Sequence, residues 1–221
     1  MKIAHIADVH VKGLARHAEY REIFEEFNEQ LESENVDHVF IAGDIYHAKT
    51  QGITSEYISL MTWWFNSMSE RAEVHMMLGN HDFNQMNLTR MDAISPIVDA
   101  ISNSKVHLYK YSGVYNFAPG YNWCVYSLFD KENWNKVTPV IGDVNIACYH
   151  GPVVGAVSET DWHVDADVSV DFFRDYDVCL LGDIHKTQYL DFRDVELIVT
   201  EDELKNYPHA KILEVFEEKS A

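Results

Sequence analysis

No apolar run in this chain approaches the roughly 18 residues that a membrane span needs. Nor does a charged, apolar and small-residue signal pattern precede the first strand-like stretch, which starts at Lys2. A cytoplasmic protein without membrane association is therefore expected. Cysteine is scarce: Cys124, Cys148 and Cys179 lie far apart in apolar, strand-like runs. That spacing excludes a disulfide framework and suits reduced core residues. Internal repeats and low-complexity tracts are absent. Basic residues are few, 17 Lys and Arg against 36 Asp and Glu, for a formal net charge of −19. Duplex-binding proteins usually carry a basic surface, so the isolated chain is expected to hold nucleic acid weakly. Much of the acidity reads as solvated helix surface, with Glu19, Glu22, Glu25, Glu26 and Glu29 on the polar side of one helix and Glu201, Asp202 and Glu203 opening another.

Against these absences stand five short segments: Asp8-Val9-His10, Gly43-Asp44-Ile45-Tyr46-His47, Gly79-Asn80-His81-Asp82, His150-Gly151 and Gly182-Asp183-Ile184-His185. Each follows a short apolar run that reads as a strand buried on both faces: residues 2–7, 38–42, 74–78, 145–149 and 178–181. Ligands of open α/β sheets bind at strand ends. Taken singly, Asp-x-His is more often a turn or cap pair than a site, and Gly-Asp is a turn signal. Their repetition at five strand ends is what such local explanations do not supply. The side chains mix carboxylate, amide and imidazole with no cysteine, a set suited to Mn²⁺, Fe²⁺ or Zn²⁺ rather than to an all-oxygen Ca²⁺ or Mg²⁺ cage. A bridging carboxylate, Asp44 being the natural candidate, can hold two ions roughly 3.5–4 Å apart, the spacing that clamps the attacking and leaving oxygens of an in-line displacement. The chemistry indicated is hydrolysis of phosphate esters.

The order Asp-x-His, Gly-Asp, Gly-Asn-His-Asp, His and Gly-x-x-His resembles that of the calcineurin-like metallophosphoesterases, over residues 1 to about 190. Within that superfamily the chain is most similar to SbcD-type nuclease subunits, particularly those of T-even-like phages. The narrower likeness rests on residues 43–47, 90–98, 150–156 and 180–186, and above all on the additional His47. The resemblance implies that Asp8, His10, Asp44 and His185 surround one metal ion and that Asp44, Asn80, His150 and Asp183 surround the other, with Mn²⁺ as the expected metal. His81 would act beside the metals on the scissile phosphate or the leaving 3′ oxygen, with Asp82 orienting its ring. His47 would assist strand positioning or proton transfer. One departure is visible: the family pattern ends Gly-His-x-His, whereas Asp183 stands at the first of those positions here.

The resemblance also implies DNA as substrate, a role in DNA repair and recombination, an SbcC-type coiled-coil ATPase as partner, and the cytosol of a bacterium or a phage-infected host as location. A phosphoesterase for a small or protein-bound phosphate, or a non-catalytic dimerisation module, are the alternatives.

With 221 residues, 47% of them apolar, the chain is long enough for one well-buried α/β domain and too short for two sizeable ones. The expected architecture is a layered α/β/β/α sandwich over residues 1–190, followed by a short segment, 191–221, without a complete capping domain. Tyr20, Ile23, Phe24, Phe27 and Leu31 recur at helical spacing between about 16 and 33 and predict a helix lying on the sheet. Further helices are expected at about 55–70 and 89–103, and a β-meander between Val106 and Leu128, broken at Gly113 and Pro119-Gly120. The second helix carries Ile58, Met61, Trp63, Trp64, Phe65 and Met68, more apolar surface than one face holds. Deep burial would account for this surface as well as a partner would; aromatic and Met side chains are enriched at interface cores, and the resemblance implies a homodimer through the second and third helices, with Ile94, Ile97, Val98 and Ile101 as the other half. Trp162 and His163, in the loop after His150, receive no role.

Overall fold

The computed structural model describes residues 1–47, 52–158, 160 and 162–185, together with the backbone of two further strands, 197–199 and 211–214. Two five-stranded sheets stack face to face. The first has the order β10 (Lys211–Glu214), β1 (Lys2–Ile6), β2 (His38–Ala42), β3 (Glu73–Met77), β4 (Val106–Tyr109), with β1 to β4 parallel and β10 antiparallel to β1. The second has the order β5 (Gly113–Ala118), β6 (Tyr121–Tyr126), β7 (Val144–His150), β8 (Val178–Gly182), β9 (Leu197–Val199), parallel except for the β5–β6 hairpin.

Alternation along each strand accounts for the layers. Ile3, Phe40, Ala42 and Met77 face Trp123, Val125, Ile146, Cys148 and Leu180 across the space between the sheets. Their sequence neighbours Ala4, Val39, Ile41, Val74 and Met76 face helices α1 (His17–Ser33), α2 (Ser55–Ser69) and α3 (Ser95–Ile101). The outer face of the second sheet, with Cys124, Ala147, Cys179 and Leu181, lies under 3₁₀ segments at Leu128–Lys136 and Val170–Phe173. The architecture is the expected sandwich, its second helical layer built from 3₁₀ turns. All three cysteines are buried and free. No helix among the described residues is long and apolar enough to cross a membrane.

Three expectations require correction. The surplus apolar surface of α2 is internal: Met61, Trp64, Phe65 and Met68 are buried, and Trp64 stacks on Phe24 of α1 with ring centroids 3.7 Å apart. Only Ile58, 44% exposed, and half-buried Trp63, over which the Arg21 guanidinium sits at 4.1 Å, remain toward the outside. The third helix begins at Ser95 rather than near 89. The Asp92 carboxylate accepts the Ile94 and Ser95 N–H groups at 2.9 and 2.6 Å, and Pro96 occupies the first turn, where its missing N–H costs nothing. Ile94 and Ile97 are core, while Val98 and Ile101 are partly buried against it. The stretch from Val106 to Leu128 is no single meander. β4 ends the first sheet, and the chain crosses at 110–112 to start the second. The expected boundary near 190 falls outside the described residues, and beyond it β9 and β10 complete one edge of each sheet.

Candidate metal centre

Parallel strands place all five polar segments at one end of the sandwich, where both sheets finish. The backbone there leaves the extended conformation abruptly. Asp8, His10, Asp44 and Asp183 have φ of 56°, 49°, 52° and 82°, each a conformation costing about 1–3 kcal/mol unless its surroundings hold it. Of the seven non-glycine residues with positive φ among the described residues, these four are candidate ligands, so the strain is concentrated at the site. Cross-strand bonds hold it in place: the Asp8 N–H donates to the Gly43 carbonyl at 3.1 Å and the His10 N–H to the Asp44 carbonyl at 2.9 Å. The Asp183 N–H donates to both Asp8 carboxylate oxygens, at 3.0 and 2.9 Å. Gly79 is required by close approach, because a Cβ there would run into the backbone nitrogen and carboxylate of Asp44.

The side chains converge as their strand positions dictate. His185 Nε2 lies 3.3 Å from His10 Nε2 and 3.7 Å from Asp8 Oδ1, and His10 Nε2 lies 3.7 Å from Asp44 Oδ2. On the other side of Asp44, His150 Nε2 is 3.4 Å from Asp44 Oδ1 and 3.8 Å from Asp183 Oδ1, and the Asn80 amide donates to Asp183 Oδ1 at 2.7 Å. Ligand atoms on an ion with bonds of roughly 2.0–2.2 Å stand about 3 Å apart, so two ions sharing Asp44 fit with small adjustments. Unpartnered atoms point the same way. His150 Nε2 and Asn80 Oδ1 are buried with no hydrogen-bond partner, a costly condition that a cation relieves. His150 Nδ1 meets the Ala42 carbonyl at 2.7 Å. That contact fixes Nδ1 as the protonated nitrogen and turns the Nε2 lone pair inward.

The electrostatics call for positive charge. Burial, with smaller contributions from Asp44 and Asp183, pushes the Asp8 carboxyl up to about 8. Burial and then the Asp44 charge push Asp82 up to about 7. Asp44 is itself nearly buried, yet His150, His10 and the His81 N–H hold it below the usual carboxylate range. Burial lowers His150, but Asp44, Asp8 and Asp183 outweigh it and raise that imidazole to about 10, so without cations it also carries a proton on Nε2, which a bound ion would displace to reach the lone pair. Burial lowers His10 to about 3, leaving it neutral and ready to ligate. Carboxylates this dehydrated ionise together at neutral pH when cations lie between them.

Every anticipated ligand, Asp8, His10, Asp44, Asn80, His150, Asp183 and His185, is thus part of one cluster, and His81 and His47 border it. His81 Nε2 is 3.9 Å from Asp44 Oδ2, and its ring lies 4.7 Å from that of His10. Asp82 does not orient His81. Its carboxylate accepts the Tyr46 and Gly79 N–H groups at 2.7 and 2.8 Å, tying the second motif to the third. The group that meets His81 Nδ1 is the His47 backbone carbonyl, at 2.7 Å, a contact that no side-chain motif announces. The His47 ring is 5.7 Å from His10 and 6.3 Å from His81. Sequence reasoning also passed over Tyr20, whose hydroxyl donates to the His10 carbonyl at 3.0 Å and so anchors α1 to the site. Two grooves flank the cluster. One is lined by Ser158, Thr160, Val164 and the 183–185 turn. The other is lined by Tyr46, Ile53, His81, Asn84, Arg90 and Met91.

Residues 1–187 match the calcineurin-like phosphoesterase family, and the chain belongs to it; family membership and the ligand cluster together indicate metal-dependent phosphoester hydrolysis. Among individual proteins, the chain is 35% identical over 205 residues to the uncharacterized protein R555 of Acanthamoeba polyphaga mimivirus, a match covering 85% of this chain and 15% of that much longer relative. The fold is shared with TT1561 of Thermus thermophilus (TM-score 0.55, 9% identity, 91% of this chain and 89% of that one). It is shared also with GAP50, the anchor in the inner membrane complex of Plasmodium (TM-score 0.56, 11% identity, 96% and 76%).

Proposed function

We propose that the chain is a DNA phosphodiesterase, the nuclease subunit of an SbcCD-like repair and recombination complex, working with two divalent ions of which Mn²⁺ is the best suited. The observation that carries this reading is the open, two-sided approach to the centre. A groove leads away on each flank, Arg90 borders one, and Trp162 stands 78% exposed on the loop that rims the other. A polymer can enter and leave such a trough, an exposed indole can stack on a base, and Arg90 can meet a phosphate.

Two divalent ions, when bound, polarise the phosphoryl oxygens and activate the attacking water. Asp8, His10, Asp44 and His185 would hold one, and Asp44, Asn80, His150 and Asp183 the other. The chain's own contribution is positional. The His47 carbonyl fixes the His81 ring with Nε2 toward the cluster, where its proton can pass to the leaving 3′ oxygen. The exposed His47 ring borders the path of the strand. A smaller phosphodiester would use the same centre, and the net charge of −19 suits that second reading.

For assembly, a homodimer through the second and third helices would have Ile58, the exposed apolar side chain of α2, available to it. An SbcC-type ATPase would supply the basic surface that this chain lacks. The discriminating experiment is Mn²⁺-dependent hydrolysis of end-labelled single- and double-stranded DNA beside bis-p-nitrophenyl phosphate. Cleavage of DNA that falls when Trp162 is changed to Ala, with the small ester unaffected, supports the nuclease. Hydrolysis of the small ester alone removes it.

A further inference from the structure

At the opposite end of the same strands lies a second group of ligating side chains that the phosphoesterase chemistry does not use. His38 opens β2 and Glu73 opens β3, and the two are register partners. His75 follows Glu73 by two residues and so shares its face. All three point between the sheets, with His107 and Tyr109 of β4 beside them. A strand length separates them from Asp44, roughly 15 Å or more, so they form no part of the catalytic cluster.

We propose that His38, Glu73 and His75 form a zinc-binding site that clips together the first residues of β2 and β3. His38 Nδ1 and His75 Nε2 are 3.1 Å apart, and Glu73 Oε2 lies 3.9 and 3.8 Å from them. A tetrahedral zinc ion with bonds near 2.0–2.1 Å holds its ligand atoms about 3.3 Å apart. The nitrogens therefore already stand at nearly the required separation, and the carboxylate needs to move inward by about half an ångström. Two imidazoles and one carboxylate, with water in the fourth position, are the ligand set of an open zinc site rather than of a closed four-ligand one.

The surroundings suit the ion. His75 Nδ1 lies 2.8 Å from the Tyr109 hydroxyl. With the Nδ1 proton donated to the phenol oxygen, the Nε2 lone pair is free for the metal, the usual support for a ligating imidazole. The rings of His107, Phe117 and Trp123 pack around His75 at centroid distances of 5.0, 5.6 and 5.4 Å, making a rigid, largely dry wall. Glu73 is partly exposed, its side chain 42% accessible, which gives the ion a way in. Burial, reinforced by the neighbouring imidazoles, pushes His75 down to about 2, and burial also lowers His38 despite the Glu73 charge. Both rings are thus neutral, the protonation state that binds metal. The competing arrangement is a metal-free relay in which Tyr109 donates to His75 Nδ1 and His75 Nε2–H donates to His38 Nδ1. It satisfies the same atoms and predicts no affinity for zinc.

The test is zinc content after equilibration and gel filtration, comparing wild type with Glu73→Gln and His38→Gln. The proposal predicts one fewer zinc per chain in each variant, a zinc-dependent rise in Tm for the wild type that both variants lose, and phosphoesterase activity retained within about twofold. Glu73 lies at the surface, so its variant is expected to fold even if His38→Gln does not. Because the readout is a difference between proteins, it stands whatever the catalytic centre holds. Equal zinc content in wild type and Glu73→Gln, with equal Tm responses, would overturn the site in favour of the relay.

Discussion

Strands β2 and β3 place histidine and carboxylate groups at both of their ends, and the two ends treat them differently. At the C-terminal ends, which β1, β7 and β8 share, the backbone turns left-handed at Asp8, His10, Asp44 and Asp183, and His150 Nε2 and Asn80 Oδ1 are buried without partners. At the N-terminal ends His38, Glu73 and His75 sit in regular extended backbone, and each imidazole has a polar neighbour within hydrogen-bond distance. Strain and unsatisfied atoms are retained where chemistry needs ligands fixed in advance. Where a metal would only brace the fold, the protein keeps an arrangement that is also tolerable without it. The first end is built for a cation and the second can accept one.

The largest effect expected from breaking this contrast is at Asp44. Asp44→Ala removes the shared carboxylate and should take hydrolysis to the uncatalysed background while releasing metal, measured by elemental analysis and bis-p-nitrophenyl phosphate turnover. Next is His81→Asn, which should lose roughly 10²–10⁴-fold in rate, the range for a positioned proton donor, with metal content unchanged. A variant that loses metal would make His81 a ligand, which its 3.9 Å distance to Asp44 permits. Third, Gly79→Ala pushes a methyl group against Asp44. It should cost about 1–3 kcal/mol, the range for overpacking, and weaken metal binding. Denaturant titration and metal titration check the two parts.

The smallest effect at neutral pH belongs to His5, which lies between the two ends on β1, fully buried with neither ring nitrogen partnered. Burial lowers it from 6.5 to about 3. The unfolded chain therefore binds a proton that the folded one refuses, and stability falls as pH drops from about 6.5 toward 3. The slope from this one group is up to about 1.4 kcal/mol per pH unit. His5→Leu should flatten the acid limb of a Tm-against-pH curve by that amount, and a curve parallel to wild type would show that His5 is hydrated or paired in solution.

The same contrast governs what was legible in the sequence. The end that carries the candidate metal centre is legible because each of the five motifs follows an apolar run and four of them are punctuated by Gly, so strand, turn and ligand appear in order, as in 38–42 followed by Gly43 and Asp44. Helix α1 was legible from Tyr20, Phe24, Phe27 and Leu31, all of which are buried. The other end was not, because His38, Glu73 and His75 lie within strands and meet only through the β2–β3 register, a pairing no local pattern encodes. The His47 carbonyl escaped notice for a related reason: backbone acceptors have no sequence signature. Asp82 was misassigned because adjacency to His81 suggested a partner, whereas the chain turns so that its carboxylate faces the N–H groups of Tyr46 and Gly79. The apolar breadth of α2 leaves burial and a partner surface both open in the sequence, because the covering helix α1, with Phe24 on Trp64, is remote along the chain.

The proposed hydrolysis by this chain requires two ions sharing Asp44. The most direct test is anomalous diffraction on either side of the manganese absorption edge from crystals equilibrated with Mn²⁺. Two peaks about 3.5–4 Å apart are predicted, one enclosed by Asp8, His10, Asp44 and His185 and the other by Asp44, Asn80, His150 and Asp183. A single peak at this end of the sandwich, or a pair that does not share Asp44, would contradict it.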